Sequence, residues 1–178
     1  MERKHWERTK RSHKMMTRDQ FVRQISQEQA ALRRFLTALC CGNSTTADDM
    51  AQETLLKAYM RLSQYDERGQ FSAWLLKIAY HIFIDAKRKQ KEQSKLSLEK
   101  VFTLQGTANA DDCFRYQALH AALATLSETI RTSILLYYMQ GYQIKEIAEI
   151  TDNSEDAIKK QLSRGREQLK RLLKDGRR

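Results

Sequence analysis

Apolar residues along this chain return every three to four positions rather than every second one, the period of one face of a helix. From residue 17 onward Phe21, Ile25, Leu32, Phe35, Leu36 and Leu39 keep that spacing, until Gly42, Asn43 and Ser44 break it. A second helix is predicted over residues 47–62, with Met50, Leu55, Ala58, Tyr59 and Leu62 available to a core. The polar run from Tyr65 to Gly69 reads as a loop. A third and strongly patterned helix is predicted over residues 71–91. Phe71, Leu75, Ile78, Ile82 and Phe83 line one side of it, and Lys77, His81, Asp85 and Arg88 form a polar stripe on another.

Beyond residue 91 the apolar period fades. Residues 93–112 hold Ser94, Ser97, Thr103, Gly106, Thr107 and Asn109 with scattered apolar positions, which predicts a linker with a short helical turn at 98–102. Helical patterning resumes over 114–126 and 127–140, then twice more to the end. The expected fold class is all-α, with two small helical domains joined by a linker. The boundaries read as a basic N-terminal arm over 1–16, a first domain over 17–92, the linker over 93–112, a second domain over 113–174 and a tail over 175–178. Proline is absent and only six glycines occur, which removes the usual turn residues of hairpins and reinforces the all-α reading.

The last two helices form a recognisable unit. Ile144, Ile147 and Ala148 mark the inner side of a short helix over 143–150. Asp152, Asn153 and Ser154 then make a polar turn in which Ser154 can cap the following helix, and Glu155 and Asp156 suit that helix's positive end. Ile158, Leu162, Gly165, Leu169 and Leu172 repeat along its inner face, leaving Lys159, Lys160, Ser163, Arg164 and Lys170 directed elsewhere. A short helix, a tight turn and a longer basic helix describe a helix-turn-helix, whose second helix enters the DNA major groove. An ordinary helical hairpin with a solvated charged face is the alternative. Nine Lys/Arg against four acids from Glu155 onward favour DNA.

Charge widens that inference to the whole chain. Lys and Arg number 32 against 22 Asp and Glu, a formal net charge of +10, so a polyanion is the default partner. The longest apolar stretches, at 78–84 and 134–139, are too short to span a bilayer. The basic start of the chain lacks an apolar h-region, so neither membrane insertion nor a signal peptide is expected, and the cytoplasm is the expected location. Cys40, Cys41 and Cys113 make no paired framework, and His5, His13, His81 and His120 show no ligand spacing. No metal, cofactor or small-molecule substrate is therefore expected. An enzyme would need a phosphate-binding glycine loop, a nucleophile motif or a metal cluster, and the sequence carries none of these.

In the first domain, Asp48, Asp49 and Glu53 put acids at the start of the second helix, with Asp49 and Glu53 on one face and Gln52 beside them. On physical grounds alone these are favourable charges at a helix N-terminus. The strings DDMAQETLLKAYMRL and YDERGQFSAWLLKIAYHIFIDAKRK, however, resemble the second conserved region of extracytoplasmic-function (ECF) sigma factors of the sigma-70 family. ALATLSETIRTSILLYYMQGYQIKEIAEITDNSEDAIKKQLSRGREQL resembles their fourth. The resemblance spans residues 17–174 with both regions in order.

The resemblance implies an alternative sigma factor that directs core RNA polymerase to promoters. By it, Asp49, Gln52 and Glu53 would bind the polymerase clamp helices. Tyr65, Gln70, Trp74, Lys77, His81 and Arg88 would recognise and melt the −10 element, an aromatic and cationic surface suited to unpaired bases. Phe71 and Trp74 are expected to be at least half buried in any case. Ala157, Lys159, Lys160, Gln161, Ser163, Arg164 and Arg166 would read the −35 element. Core polymerase, promoter DNA and an anti-sigma factor are the implied partners. Several positions depart from the usual pattern: His81 stands where asparagine is common, Asp152 in place of a turn glycine, Ala157 in place of threonine and Gly165 in place of alanine. The proline usual near Ser127 is missing. A one-component regulator with the same helix-turn-helix is the rival reading, and it would bind duplex DNA without polymerase.

Overall fold

Caps and breaks in the sequence set where each helix begins. In the computed structural model, which describes residues 16–66, 70–96 and 110–175, the described residues form seven α-helices and no strand. Helices α1 (Arg18–Leu39), α2 (Ser44–Met60) and α3 (Phe71–Leu96) come first, with a 3₁₀ turn at Leu62–Gln64 between the last two. Helices α4 (Ala110–Ala124), α5 (Glu128–Tyr138), α6 (Ile144–Thr151) and α7 (Glu155–Asp175) follow. Residues 1–15 of the expected arm, the turn expected at 98–102 and residues 176–178 lie outside the described residues.

Thr17 opens α1 through a capping box: the Gln20 amide donates to Thr17 Oγ1 at 3.3 Å, and the Thr17 amide donates to Gln20 Oε1 at 2.7 Å. The chain leaves α1 through Cys41 (φ 55°) and Gly42 (φ 89°), both left-handed. Glycine suits the second of these twice over, since a Cβ there would lie 3.1 Å from the His120 ring. Asn43 then caps α2 by accepting from the Thr46 amide at 3.0 Å, starting the helix three residues before the expected 47. Helix α3 runs past the expected residue 91 to Leu96 and α4 begins at Ala110, so both margins of the expected 93–112 linker are helical. Gln93, Ser94, Lys95 and Leu96 include no glycine or proline, so nothing in the sequence stops α3 at residue 91.

The predicted apolar faces are largely the buried ones. Phe21, Leu32, Phe35, Leu36 and Leu39 of α1, with Phe71, Leu75, Ile78, Ile82 and Phe83 of α3, are all in the core. Two positions differ. Tyr59 is 45 % exposed: its ring lies against Phe21 on one side, with the Arg18 guanidinium 5.8 Å from its centroid. Leu172 is 40 % exposed, because the part of α7 that packs on the other helices ends near Leu169. Cys40 and Cys41 are half-buried free thiols, and burial pushes the Cys40 thiol up to about 11, which leaves it protonated and unreactive at neutral pH.

The two helix groups touch through α3 with α6 and through α1 with α5 and the neighbouring α4. At the second junction Arg131 is buried at 8 % exposure. Its Nη1 donates to the Leu39 carbonyl of α1 at 2.9 Å, its Nε to Leu123 at 2.8 Å and its Nη2 to Leu126 at 2.9 Å. The guanidinium therefore caps the C-termini of α1 and α4 together, where carbonyls lack helical partners and the dipole favours a cation. Arg131→Ala should lower the unfolding free energy by about 3–5 kcal/mol, because several buried carbonyls lose a charged donor. Arg131→Lys should recover only part of that loss, and urea unfolding followed by circular dichroism measures both.

Gly165 explains its own departure from alanine. A Cβ there would lie 2.7 Å from Ile134 Cγ1 and 2.8 Å from Ile130 Cγ2, so glycine lets α7 approach α5 closely. Gly165→Ala gains about 1 kcal/mol of helix propensity but overpacks β-branched neighbours at a cost of about 1–3 kcal/mol. The expected net result is destabilisation of about 1 kcal/mol, read as a lower urea midpoint at unchanged m-value.

Candidate nucleic-acid interface

The helix-turn-helix forms from α6 and α7. Gln143 and Glu146 cap α6 reciprocally, the Gln143 amide donating to Glu146 Oε2 at 2.8 Å. Helix α6 ends at Asp152, which adopts a left-handed conformation (φ 51°, ψ 42°) where glycine would sit at no steric cost. An aspartate there costs on the order of 1 kcal/mol of backbone strain. Ser154 then accepts from the Ala157 amide at 3.2 Å and starts α7, as the sequence predicts.

Helix α7 buries Ile158, Leu162 and Gly165 against the helices behind it. Lys159, Lys160, Ser163, Arg164 and Arg166 are all exposed. Lys159 is held by Asp156 one turn earlier, Nζ to Oδ1 at 3.2 Å. The other two expected −35 residues are placed differently. Ala157 is half-buried, and Gln161 turns inward so that Ser133 Oγ donates to its Oε1 at 2.6 Å. Gln161 thus ties α7 to α5 through its side-chain carbonyl.

The six expected −10 residues divide in the same way. Tyr65 is buried at 8 % exposure, its ring 5.5 Å from Phe71 and 5.0 Å from Trp74. Trp74 is half-buried and Phe71 fully so, as expected of both. Tyr65 therefore supports Trp74 from beneath and offers no open face for a base. Arg88 is exposed and pairs with Asp85 at 3.3 Å. Gln70 and His81 are exposed and Lys77 is half-buried, and each meets the C-terminal helices. Gln70 Nε2 lies 3.4 Å from Glu146 Oε1. Lys77 Nζ donates to the Glu149 carbonyl at 3.0 Å and to Asp152 Oδ1 at 2.5 Å, and His81 Nε2 is 3.0 Å from Asp152 Oδ2. The Lys77 hydrogen bond holds the Asp152 carboxyl below the usual aspartate range.

On α2, Asp49, Gln52 and Glu53 form an exposed stripe, with Glu53 paired to Lys57 at 2.7 Å. Because α2 starts at Ser44, Asp49 stands beyond the first turn, out of effective reach of the helix dipole. Asp48 pairs with Arg33 of α1. Capping thus loses its force as the explanation of this acidic stripe. Leu56 (60 % exposed) and Met60 (73 % exposed) extend the stripe at i+3 and i+7 from Glu53. Sequence reasoning passed over both, although the same spacing would have found them once the outer face of α2 was fixed.

Residues 25–93 match the family described as Sigma-70 region 2, and residues 116–169 match Sigma-70, region 4. The ECF RNA polymerase sigma factor SigW of Bacillus subtilis (strain 168) is 31 % identical over 147 residues, covering 75 % of this chain and 79 % of that protein. SigM, an ECF RNA polymerase sigma factor of the same organism, is 30 % identical over 133 residues, covering 73 % of this chain and 81 % of its own. Among solved structures, the sigma factor RpoE in complex with the anti-sigma factor NepR from Bartonella quintana superimposes with a TM-score of 0.73. It is 28 % identical, covering 86 % of this chain and 96 % of that one.

Proposed function

The chain belongs to the ECF RNA polymerase sigma factors, and we propose that it binds core polymerase through α2 and reads promoter DNA through α3 and α7. In this reading residues 17–92 engage the polymerase clamp and the −10 element, and residues 113–174 engage the −35 element. The chain selects the start site and contributes no catalytic group. It works in the cytoplasm, and no helix of the described residues is long and apolar enough to cross a membrane.

The observation that carries the reading is the pairing of two unlike surfaces in one basic chain. Helix α7 offers exposed cations on a helix-turn-helix, and α2 offers acids that neither a dipole nor a core requires. A regulator that binds duplex DNA by itself has use for the first surface only. Asp49, Gln52 and Glu53, flanked by Leu56 and Met60, make a polar stripe with an apolar margin, the composition of a protein-protein contact. On α3, Trp74 supplies a partly exposed ring, and Lys77, His81 and Arg88 supply charge for an unpaired strand. On α7, Lys159, Lys160 and Ser163 lie toward the groove-entering end, and Arg164 and Arg166, further along the helix, would meet phosphates. Gln161 and Ala157 shape the helix seat.

Transcription by core polymerase on a promoter library tests the whole reading. New start sites sharing −10 and −35 sequences should appear only when the chain is added. Binding to duplex DNA with no effect on core would transfer the assignment to a one-component regulator. Replacing Asp49 and Glu53 together by alanine should weaken core binding about tenfold in a fluorescence titration while leaving the melting temperature unchanged. Within the holoenzyme, Lys160→Ala should alter the preferred −35 sequence. Arg166→Ala should instead weaken all sequences alike and reduce the salt slope by about one.

A further inference from the structure

The contacts between α3 and the helix-turn-helix involve the side chains assigned above to promoter DNA. Lys77 and His81 both face one carboxylate, that of Asp152, and Lys77 also donates to the Glu149 carbonyl. Gln70 reaches Glu146 on the same helix. Beside them Tyr142 Oη donates to Ser72 Oγ at 2.9 Å. Polar contacts thus run along much of one side of α3, and their partners come from α6 and the turns at its two ends.

We propose that this sigma factor masks its own −10 surface, with Asp152 occupying on Lys77 and His81 the position that a DNA phosphate would take. The proposal rests on the assignment of Lys77 and His81 to the −10 element. Two features support Asp152 as a built mimic. It holds a left-handed position that glycine would fill without strain, so the carboxylate is present in spite of the backbone. Its two oxygens are divided between two different donors, Oδ1 to Lys77 and Oδ2 to His81, as phosphate oxygens commonly are. A phosphate placed on these donors would meet the Asp152 carboxylate as a like charge. Single-stranded −10 DNA must therefore displace the helix-turn-helix from α3 before it binds. Masking also couples the two promoter-reading units, since the helix-turn-helix that carries α7 must leave α3 before −10 DNA binds there.

The test uses the full chain with and without core polymerase. The probe is a fluorescent single strand carrying the −10 sequence recovered from the promoter library. Asp152→Asn keeps the shape and tolerates the left-handed backbone, and Asp152→Gly relaxes it, so both variants should fold. Glu149→Gln is the control: it removes the same charge three residues away, from an exposed side chain that does not touch Lys77 or His81. In the free chain, both Asp152 variants should bind the strand about fivefold more tightly than the parent, and Glu149→Gln should not. Small-angle scattering should show the Asp152 variants to be more extended. In the holoenzyme all four proteins should bind alike.

Equal tightening by Glu149→Gln would reduce the effect to net charge and overturn the proposal. Unchanged scattering together with unchanged affinity would overturn it as well. Expansion without any gain in strand affinity would uphold the Asp152 contact and defeat the assignment of Lys77 and His81 to DNA.

Discussion

A single buried guanidinium decides how the two helix groups meet. Arg131 lies where α1 and α4 both end, and helix ends are where a small all-α protein has most unsatisfied backbone to hide. Its hydrogen bonds to the Leu39, Leu123 and Leu126 carbonyls place a positive charge at two converging negative dipole ends. Water could serve those carbonyls only if the junction were open. A lysine would offer a point charge and could not spread its donors over the same angle. The geometry of Arg131 therefore fixes α5 under α1, and from that position α6 falls across α3.

The opposite side of the C-terminal group depends on an absence. Gly165 lets α7 settle against Ile130 and Ile134 of α5, and Gln161 secures the approach through Ser133. This close seat leaves Lys160, Ser163, Arg164 and Arg166 on the outer surface. Helix propensity is given up along the interior of α7 so that the helix is held by shape. The departure from alanine at 165 and the inward turn of Gln161 are thus parts of one packing solution. Both concern the position of the exposed cationic face of α7.

Most of the fold is legible in the sequence through its periodicity. The apolar faces of α1, α3, α6 and the first half of α7 are all evident there, since each repeats over several turns. The helix-turn-helix is legible because its turn and its cap, Ser154, are local. What escapes depends on neighbours distant in sequence. Tyr65 reads as an exposed loop aromatic until Phe71 and Trp74 enclose it. Tyr59 reads as core until Arg18 is found to cover an outward-facing ring. The start of α2 turns on Asn43, and a shift of three residues changes Asp49 from a plausible capping charge into an acid with another purpose. The Lys77–His81–Asp152 cluster joins residues more than seventy positions apart, and no local pattern reports such a contact. Only the oddity of an acid in a glycine turn marks the place.

The two junctions between the groups differ in a way that suits reversible opening. The side chains of Lys77, His81 and Asp152 are 39 %, 46 % and 55 % exposed, so their pairing is screened by water and salt and contributes modestly. Arg131 is buried, but when α1 withdraws it gives up only the Leu39 carbonyl and keeps Leu123, Ala124 and Leu126, all within its own group. The charge is never stranded, and the freed carbonyl at the end of α1 can turn to water. Separating the groups therefore leaves no uncompensated ion in either, which is the usual obstacle to opening an interface built around a buried charge. A closed form assembled in this way is specific enough to hold Asp152 on Lys77 and His81 and weak enough to open without a large penalty.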